Sequence, residues 1–301
     1  MFKPLLTGLA VVFAFAAVSA QARTSYILPY NFAPTDAYVT AQAATSENVF
    51  TPEGALKIDA FQLIDSSGVV TTAKGVTFKE VTLFESALPH EGTFRLTTGN
   101  REMRTMQMMQ VDGQWRPVRG PGGPGGPGGQ GKPAEGVAQT PAQTPAQPGP
   151  QTEAKTEAKA QAPSQAIPAD AKTVTVKSMM RADSYISYKK PSDTLPPAEG
   201  KGLEIVPVTH PSRLFSGNAF DFIVTFDGQP LSGVTYKVSR GGDQYADSSY
   251  AFSADSAAGG KGEVVFQTPG IYVIEMSRKW LDGDMSDPRN WSYSLTVEVA
   301  P

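Results

Sequence analysis

The sequence predicts an all-β protein of two consecutive β-sandwich domains, the first of which carries a long disordered insertion. Short runs of aliphatic, aromatic and β-branched residues alternate with turn signals roughly every ten residues, which is typical of sandwich strands. In the first half of the chain, no amphipathic helical pattern interrupts these runs. One stretch of abruptly different composition lies between two groups of strands, and it predicts the insertion.

The N-terminal residues have the three parts of a secretory signal peptide. Lys3 precedes an apolar run over 5–18, and Ala20-Gln21-Ala22 forms a small-residue cleavage site. An uncleaved anchor is the alternative, but the run is shorter than the roughly 20 residues of a membrane-spanning helix. We therefore expect a signal peptide over 1–22 and a periplasmic or secreted mature chain that is not inserted in a membrane.

The first domain is expected over 23–195. Its predicted strands lie at 37–43, 56–64, 75–85, 92–98, 104–115, 173–177 and 182–190. Asp65-Ser66-Ser67-Gly68 predicts a turn, and Asp112-Gly113 predicts a tight hairpin. Strand-like sequence resumes after the biased stretch and before the Pro-rich break at 195–197, so we place that stretch inside this domain.

The insertion is expected over 117–171. It contains a Gly-Pro-Gly run at 120–127, Thr-Pro-Ala-Gln units from Thr140 and Thr-Glu-Ala-Lys units from Thr152. Almost no large apolar side chain is available, so burial cannot offset the entropy of ordering the chain. A flexible linker is favoured over a Pro-rich docking ligand or a collagen-like segment.

The second domain is expected over 200–301. Its predicted strands lie at 203–208, 219–226, 233–239, 261–267, 270–278 and 291–299. Asp227-Gly228 predicts a hairpin turn, and Pro269-Gly270 predicts a turn into the next strand.

The composition excludes several classes of function. The formal net charge is −3 and no basic patch is evident, so neither nucleic acid nor anionic lipid is a predicted partner. The absence of cysteine excludes disulfides, thiolate metal sites and thiol catalysis. No nucleophile elbow, phosphate-binding loop or paired carboxylates are recognisable, and we predict neither enzymatic activity nor a bound cofactor.

Four methionines form the candidate metal site: Met103, Met106, Met108 and Met109. Thioether ligands select Cu(I), and Met179 and Met180 would lie nearby if the strands that flank the insertion pair with each other. Alternation along a strand places Met106 and Met108 on one face and Met103 and Met109 on the other, as ordinary core packing also would. Packing is the favoured interpretation, and metal binding stays the alternative.

The other candidate ligands have ordinary interpretations. His90 and His210 each lie next to a proline in a turn-like context, and we expect both to be solvated loop residues. The aspartates of 282–287 resemble a calcium loop but lack its distant acidic residue, so a solvated connection is expected.

Three segments carry a family resemblance: Tyr26-Ile27-Leu28-Pro29 with Asn48-Val49-Phe50 shortly beyond, the region 203–234 with Asp227-Gly228-Gln229-Pro230, and the region 262–272. Together they resemble a family of uncharacterised periplasmic β-proteins that is often labelled as a periplasmic component of nickel or cobalt uptake. The second domain resembles Ig-like, transthyretin-like and carboxypeptidase-regulatory-like sandwiches.

The export signal and the consecutive sandwich domains without a catalytic constellation predict a non-catalytic periplasmic binding protein. The resemblance implies an accessory role in nickel, cobalt or copper uptake, with a membrane transporter or envelope protein as the partner. The alternative is a structural adaptor of the cell envelope that uses the insertion as a flexible tether.

Overall fold

A computed structural model describes residues 23–118, 171–242, 252–282 and 286–301. The predicted signal peptide over 1–22 and nearly all of the predicted insertion, residues 119–170, lie outside the described residues. Within the described ranges, none of the helices has the length and apolar character required to span a bilayer.

Almost all of the regular secondary structure in the described residues is strand, which confirms the predicted all-β class. In chain order the strands are β1 (Thr24–Pro29), β2 (Tyr38–Ser46), β3 (Gly54–Ala55), β4 (Ala60–Asp65), β5 (Val70–Thr77), β6 (Thr82–Ala87), β7 (Gly92–Thr97), β8 (Arg101–Val111), β9 (Gln114–Pro117), β10 (Thr173–Tyr188), β11 (Leu203–Pro207), β12 (Ala219–Phe226), β13 (Gln229–Pro230), β14 (Thr235–Arg240), β15 (Phe252–Asp255), β16 (Lys261–Val265), β17 (Gly270–Arg278) and β18 (Arg289–Val299). Short 3-10 helices lie at Pro211–Arg213, Ala258–Gly260 and Trp280–Asp282.

The strands form two sheets, and together these make the predicted β-sandwich. The larger sheet has the order β1-β2-β6-β5-β4-β7-β10-β18-β17-β14-β15, and the smaller one is built around β12, which pairs with β11, β13 and β16. Along the larger path only β10 and β18 run parallel, with Lys177 opposite Arg289 and Ser184 opposite Thr296. β8 pairs with both β9 and β10, so the strands that flank the insertion do pair.

Two compact units divide the described residues. One comprises the chain up to Arg104 together with Lys177–Pro301, and the other comprises Thr105–Val176. The predicted domain boundary near 195–200 stays a prediction. The ladder between β10 and β18 joins strands from the two sides of that boundary.

The larger unit has two large apolar cores and a third, smaller cluster of Tyr26, Ala44 and Val273. The N-terminal core contains Ala41, Phe61, Phe84, Leu96, Ala182 and Ile186, and the C-terminal core contains Tyr185, Ile205, Phe220, Ile274 and Leu295. β7 is buried at every position and β10 over its last nine residues, so the two strands have no solvent-facing side there. Because successive side chains of a strand point to opposite faces, β10 supplies Ala182 and Ile186 to one core and Tyr185 to the other.

Two glycines are required by close packing. A Cβ atom on Gly75, where β5 changes partner from β4 to β6, would lie 2.4 Å from the carbonyl oxygen of Ile58. Gly202 has φ +68 and lies against the indole of Trp291, so a Cβ atom there would approach the ring to 2.3 Å. Side chains at either position would force the chain to move.

The predicted strand boundaries needed three corrections. The strand expected over 75–85 is divided between β5 and β6, because Phe78 N donates to Val81 O at 2.8 Å and closes a turn. The strands expected at 173–177 and 182–190 form one continuous strand, β10. β1, β3, β13 and β15 were not among the predicted strands.

Candidate functional site

A row of buried polar side chains crosses the face of β7 and β10 that is directed toward the C-terminal core. β7 contributes Thr93, Arg95 and Thr97, and β10 contributes Arg181, Asp183, Tyr185 and Ser187, each at most 5% exposed. The strand register sets Thr97 beside Asp183, Arg95 beside Tyr185 and Thr93 beside Ser187. We call these seven residues the polar stripe.

One end of the polar stripe is a fully buried ion-pair network completed by Glu204 of β11. Arg181 donates to both carboxylate oxygens of Asp183, with Nε–Oδ1 at 3.0 Å and Nη2–Oδ2 at 2.7 Å. Glu204 Oε1 accepts from Arg95 Nη1 at 3.0 Å and from Arg181 Nη2 at 2.8 Å. Tyr293 donates its hydroxyl to Asp183 Oδ2 at 2.9 Å. Glu199, whose side chain is 31% exposed, also pairs with Arg181 Nη1 at 3.0 Å. Two buried guanidinium groups thus face two buried carboxylates and a third that is partly exposed.

Burial and charge oppose each other within this network. Burial would raise the pKa of Asp183, but Arg181 and Arg95 hold that pKa below its ordinary value. Burial raises the pKa of Tyr293 well above its ordinary value, and the charge of Asp183 raises it further. Asp183 is therefore ionised and Tyr293 is a neutral hydrogen-bond donor at physiological pH.

The other end of the polar stripe reaches His210. Thr93 and Ser192 exchange two hydrogen bonds, from Thr93 N to Ser192 Oγ at 2.9 Å and from Ser192 N to Thr93 Oγ1 at 3.0 Å. Thr93 Oγ1 lies 3.3 Å from His210 Nε2, and His210 Nδ1 accepts the Ser212 backbone N–H at 3.2 Å. With Nδ1 acting as an acceptor, the proton of the neutral ring lies on Nε2.

His210 also borders an open cavity of about 580 Å³. Its lining includes Asp193, Thr194, Leu195, Val208, His210 and Arg213, and we call it the His210 cleft. Burial and the nearby guanidinium of Arg213 lower the pKa of His210, so the imidazole is neutral near pH 7. Val208 is 64% exposed, which is the largest exposure among the large apolar side chains of the described residues.

The pKa of the second histidine, His90, is shifted in the opposite direction. Its Nδ1 lies 2.9 Å from Glu91 O and its Nε2 lies 3.0 Å from Asp65 Oδ2, so both ring nitrogens face acceptors. The hydrogen bond to Glu91 and the Asp65 carboxylate raise the pKa of His90. Both histidines lie in loops, as predicted, with the His90 side chain 49% exposed and His210 half-buried, and each ring is hydrogen-bonded at both nitrogens.

The four predicted metal ligands all lie on β8. Met103 is exposed, Met106 and Met108 are half-buried, and Met109 is buried at 2% exposure. Strand alternation places Met106 and Met108 on one face, as predicted. Their role as metal ligands stays a prediction.

The remaining candidate ligands are partly engaged elsewhere. Asp287 pairs through both carboxylate oxygens with Arg289, while 283–285 of the calcium-like loop lie outside the described residues. Within the described ranges, no group of three or more His, Asp or Glu side chains is close enough to hold a metal ion.

Sequence reasoning missed both the polar stripe and the His210 cleft. The alternation of Thr93, Arg95 and Thr97 with apolar residues predicts a solvent-facing side for β7, whereas the structure covers that side. One signal in the sequence could have predicted the polar stripe: Arg181 and Asp183 carry opposite charges and lie two residues apart, on one face of the same strand.

Fold and site together define a β-sandwich protein with a buried ion-pair network and an open cleft. A family model described as a domain of unknown function (DUF4198) matches residues 20–279, so the chain belongs to this family. No curated protein matches the chain. A solved structure with similarity is that of Escherichia coli alpha-2-macroglobulin activated by porcine elastase, at 9% identity and a TM-score of 0.21, covering 93% of this chain and 20% of that one. The chain thus spans about a fifth of that protein's length.

Proposed function

We propose that the chain is a non-catalytic binding protein of the periplasm whose small-molecule ligand occupies the His210 cleft. The cleft itself carries the proposal, because its volume of about 580 Å³ lies within the range of small-molecule sites. Its lining combines apolar side chains, Leu195 and Val208, with a few polar groups that can orient a ligand. The predicted signal peptide supports export.

The arrangement of the buried charged side chains and of His210 does not favour catalysis. The ion-pair network of Arg95, Arg181, Asp183 and Glu204 is at most 1% exposed and internally paired, so a substrate does not reach it. In the cleft, His210 Nδ1 is occupied by the backbone of Ser212, and Nε2 faces Thr93. Both ring nitrogens are therefore engaged in holding the loop, which supports a binding role over general acid or base chemistry.

The test is a thermal-shift screen of the purified protein against amino acids, sugars, carboxylates and divalent metals. Ligand present at 100 times its Kd stabilises the folded state by about 2.7 kcal/mol, so hits are readily seen. Val208→Trp would fill the cleft and is expected to abolish the shifts. Val69→Trp is the matched control, because Val69 is 61% exposed, against 64% for Val208, and does not line the cleft. Shifts equal in both variants, or turnover of a ligand, would contradict the proposal.

Transition-metal uptake is the second candidate, favoured by the position of Met106 and Met108. Their thioethers lie two residues apart on one face of β8 and are only half-buried, so an ion could reach them. The family resemblance supports a role beside a nickel or cobalt transporter, and a transthyretin-like second domain belongs to the same proposal.

Anaerobic titration calorimetry with Cu(I), Ni(II) and Co(II) tests this candidate. Stoichiometric binding that is lost in Met106→Leu/Met108→Leu and kept in Met103→Leu would support it. No binding of the three ions to the unmodified protein would refute it.

A further inference from the structure

The His210 cleft contains one carboxylate and one guanidinium that are both available to a ligand. Asp193 and Arg213 line the same cavity and are exposed. Within the described residues, neither side chain forms a hydrogen bond or an ion pair, and they are not paired with each other. A ligand could thus form a charge-assisted hydrogen bond with each of them.

His210 adds no charge to this balance. Its Nδ1 lone pair accepts the Ser212 N–H, and the Arg213 guanidinium disfavours a second positive charge on the ring. The cleft thus presents one negative and one positive group. A ligand that carries both an ammonium and a carboxylate group can pair with each of them, whereas a ligand with a single charge can pair with only one.

The cleft also presents apolar surface between its polar groups. Val208 is 64% exposed, and Leu195 packs on the C-terminal core with one side while lining the cavity with the other. Exposed apolar surface in a concave site favours a ligand that can cover it.

We infer that the His210 cleft binds a zwitterion with an apolar body, the class of apolar amino acids and their short peptides. Asp193 receives the ammonium group, Arg213 receives the carboxylate, and Leu195 and Val208 contact the apolar side chains. This inference rests on the proposed function, because it specifies the ligand of the same cleft.

Titration calorimetry with three related dipeptides tests the inference. The probes are leucyl-leucine, its N-acetyl form without the ammonium group, and its C-terminal amide without the carboxylate. We expect leucyl-leucine to bind and each capped form to bind about tenfold more weakly or worse, since each loses one charge-assisted contact.

Two variants assign the contacts. Asp193→Asn is expected to bind leucyl-leucine and the N-acetyl form equally, and Arg213→Gln is expected to bind leucyl-leucine and the amide equally. Asp36→Asn and Arg104→Gln remove exposed charges outside the cleft and should retain the preferences of the unmodified protein.

Equal affinity for all three probes, or no binding of any, would overturn the inference. If leucyl-leucine does not bind but the thermal-shift screen finds a ligand whose effect is lost in Val208→Trp, the proposed function stands and only the zwitterion inference fails. If neither experiment finds a ligand, both fail.

Discussion

Replacing Glu204 by glutamine is the sharpest test of the buried ion-pair network. Glu204 is 1% exposed, and its Oε1 accepts from Arg95, Arg181 and the backbone N–H of Glu199. Oε2 accepts the Gly200 N–H at 3.1 Å. In the variant, an amide NH2 group would face one of these donors, and two buried guanidinium groups would share a single buried carboxylate.

The expected loss in the free energy of unfolding is about 3–5 kcal/mol, the cost of removing one partner from a buried ion pair. That is a large part of the roughly 5–15 kcal/mol that stabilises an ordinary domain. Urea denaturation followed by tryptophan fluorescence at neutral pH measures it, with the same slope expected for variant and parent.

Glutamine substitutions at two more exposed carboxylates, Glu199 and Glu85, should lower the free energy of unfolding by less than Glu204→Gln does. Glu199 pairs with Arg181 Nη1 at 3.0 Å with its side chain 31% exposed, so Glu199→Gln should cost about 1 kcal/mol or less. Glu85 is exposed and accepts a hydrogen bond from Thr40 Oγ1 at 3.1 Å, so the free energy of unfolding of Glu85→Gln should stay within about 0.5 kcal/mol of the parent. A Glu204→Gln loss below about 1 kcal/mol would refute our view of the network, since burial of unpaired charge must cost more than a surface substitution.

Three other predictions concern separate regions. The His90–Asp65 pair contributes stability fully between the ordinary pKa values of 3.8 and 6.5, and loses it as pH rises through the raised pKa of His90 or falls through the lowered pKa of Asp65. His90→Asn should therefore destabilise the protein more at about pH 5.5 than at about pH 8.5 in urea titrations, and equal losses would contradict this. Gly202→Ala should lower the free energy of unfolding by about 2–4 kcal/mol, and Gly200→Ala by about 1 kcal/mol. The backbone φ angle is similar at both glycines, but only Gly202 lies against a buried indole. Replacing 120–170 by a short Gly/Ser connection should leave the urea midpoint unchanged, since that composition offers little surface to bury; loss of partner capture with the midpoint retained would support the adaptor alternative.

The strands that could be predicted from sequence are those with strong local signals. β12 and β17 were predicted with the observed bounds. The turn at Asp227-Gly228 ends β12, and the turn at Pro269-Gly270 leads into β17. Asp227 and Gly228 have φ of 48° and 75°, as a two-residue hairpin requires. β1 and β15 lack such bounding signals, although each pairs with its neighbouring strand in the chain, β2 and β14 respectively.

The candidate site was much harder to predict. A polar residue at every second position, as in Thr93, Arg95 and Thr97, has the same pattern whether the polar face is solvated or covered. Only the approach of Glu204, 109 residues further along the chain, converts that face into a buried ion-pair network.

The sequence by itself determined the all-β class and the principal turns, because these depend on side-chain alternation and on backbone conformations encoded within a few residues. The tertiary structure decided which faces are buried and which charges meet. Asp193 and Arg213 are 20 residues apart, and only the return of the chain after β11 brings them to one cleft. Contacts of this kind depend on chain topology, which local pattern does not specify.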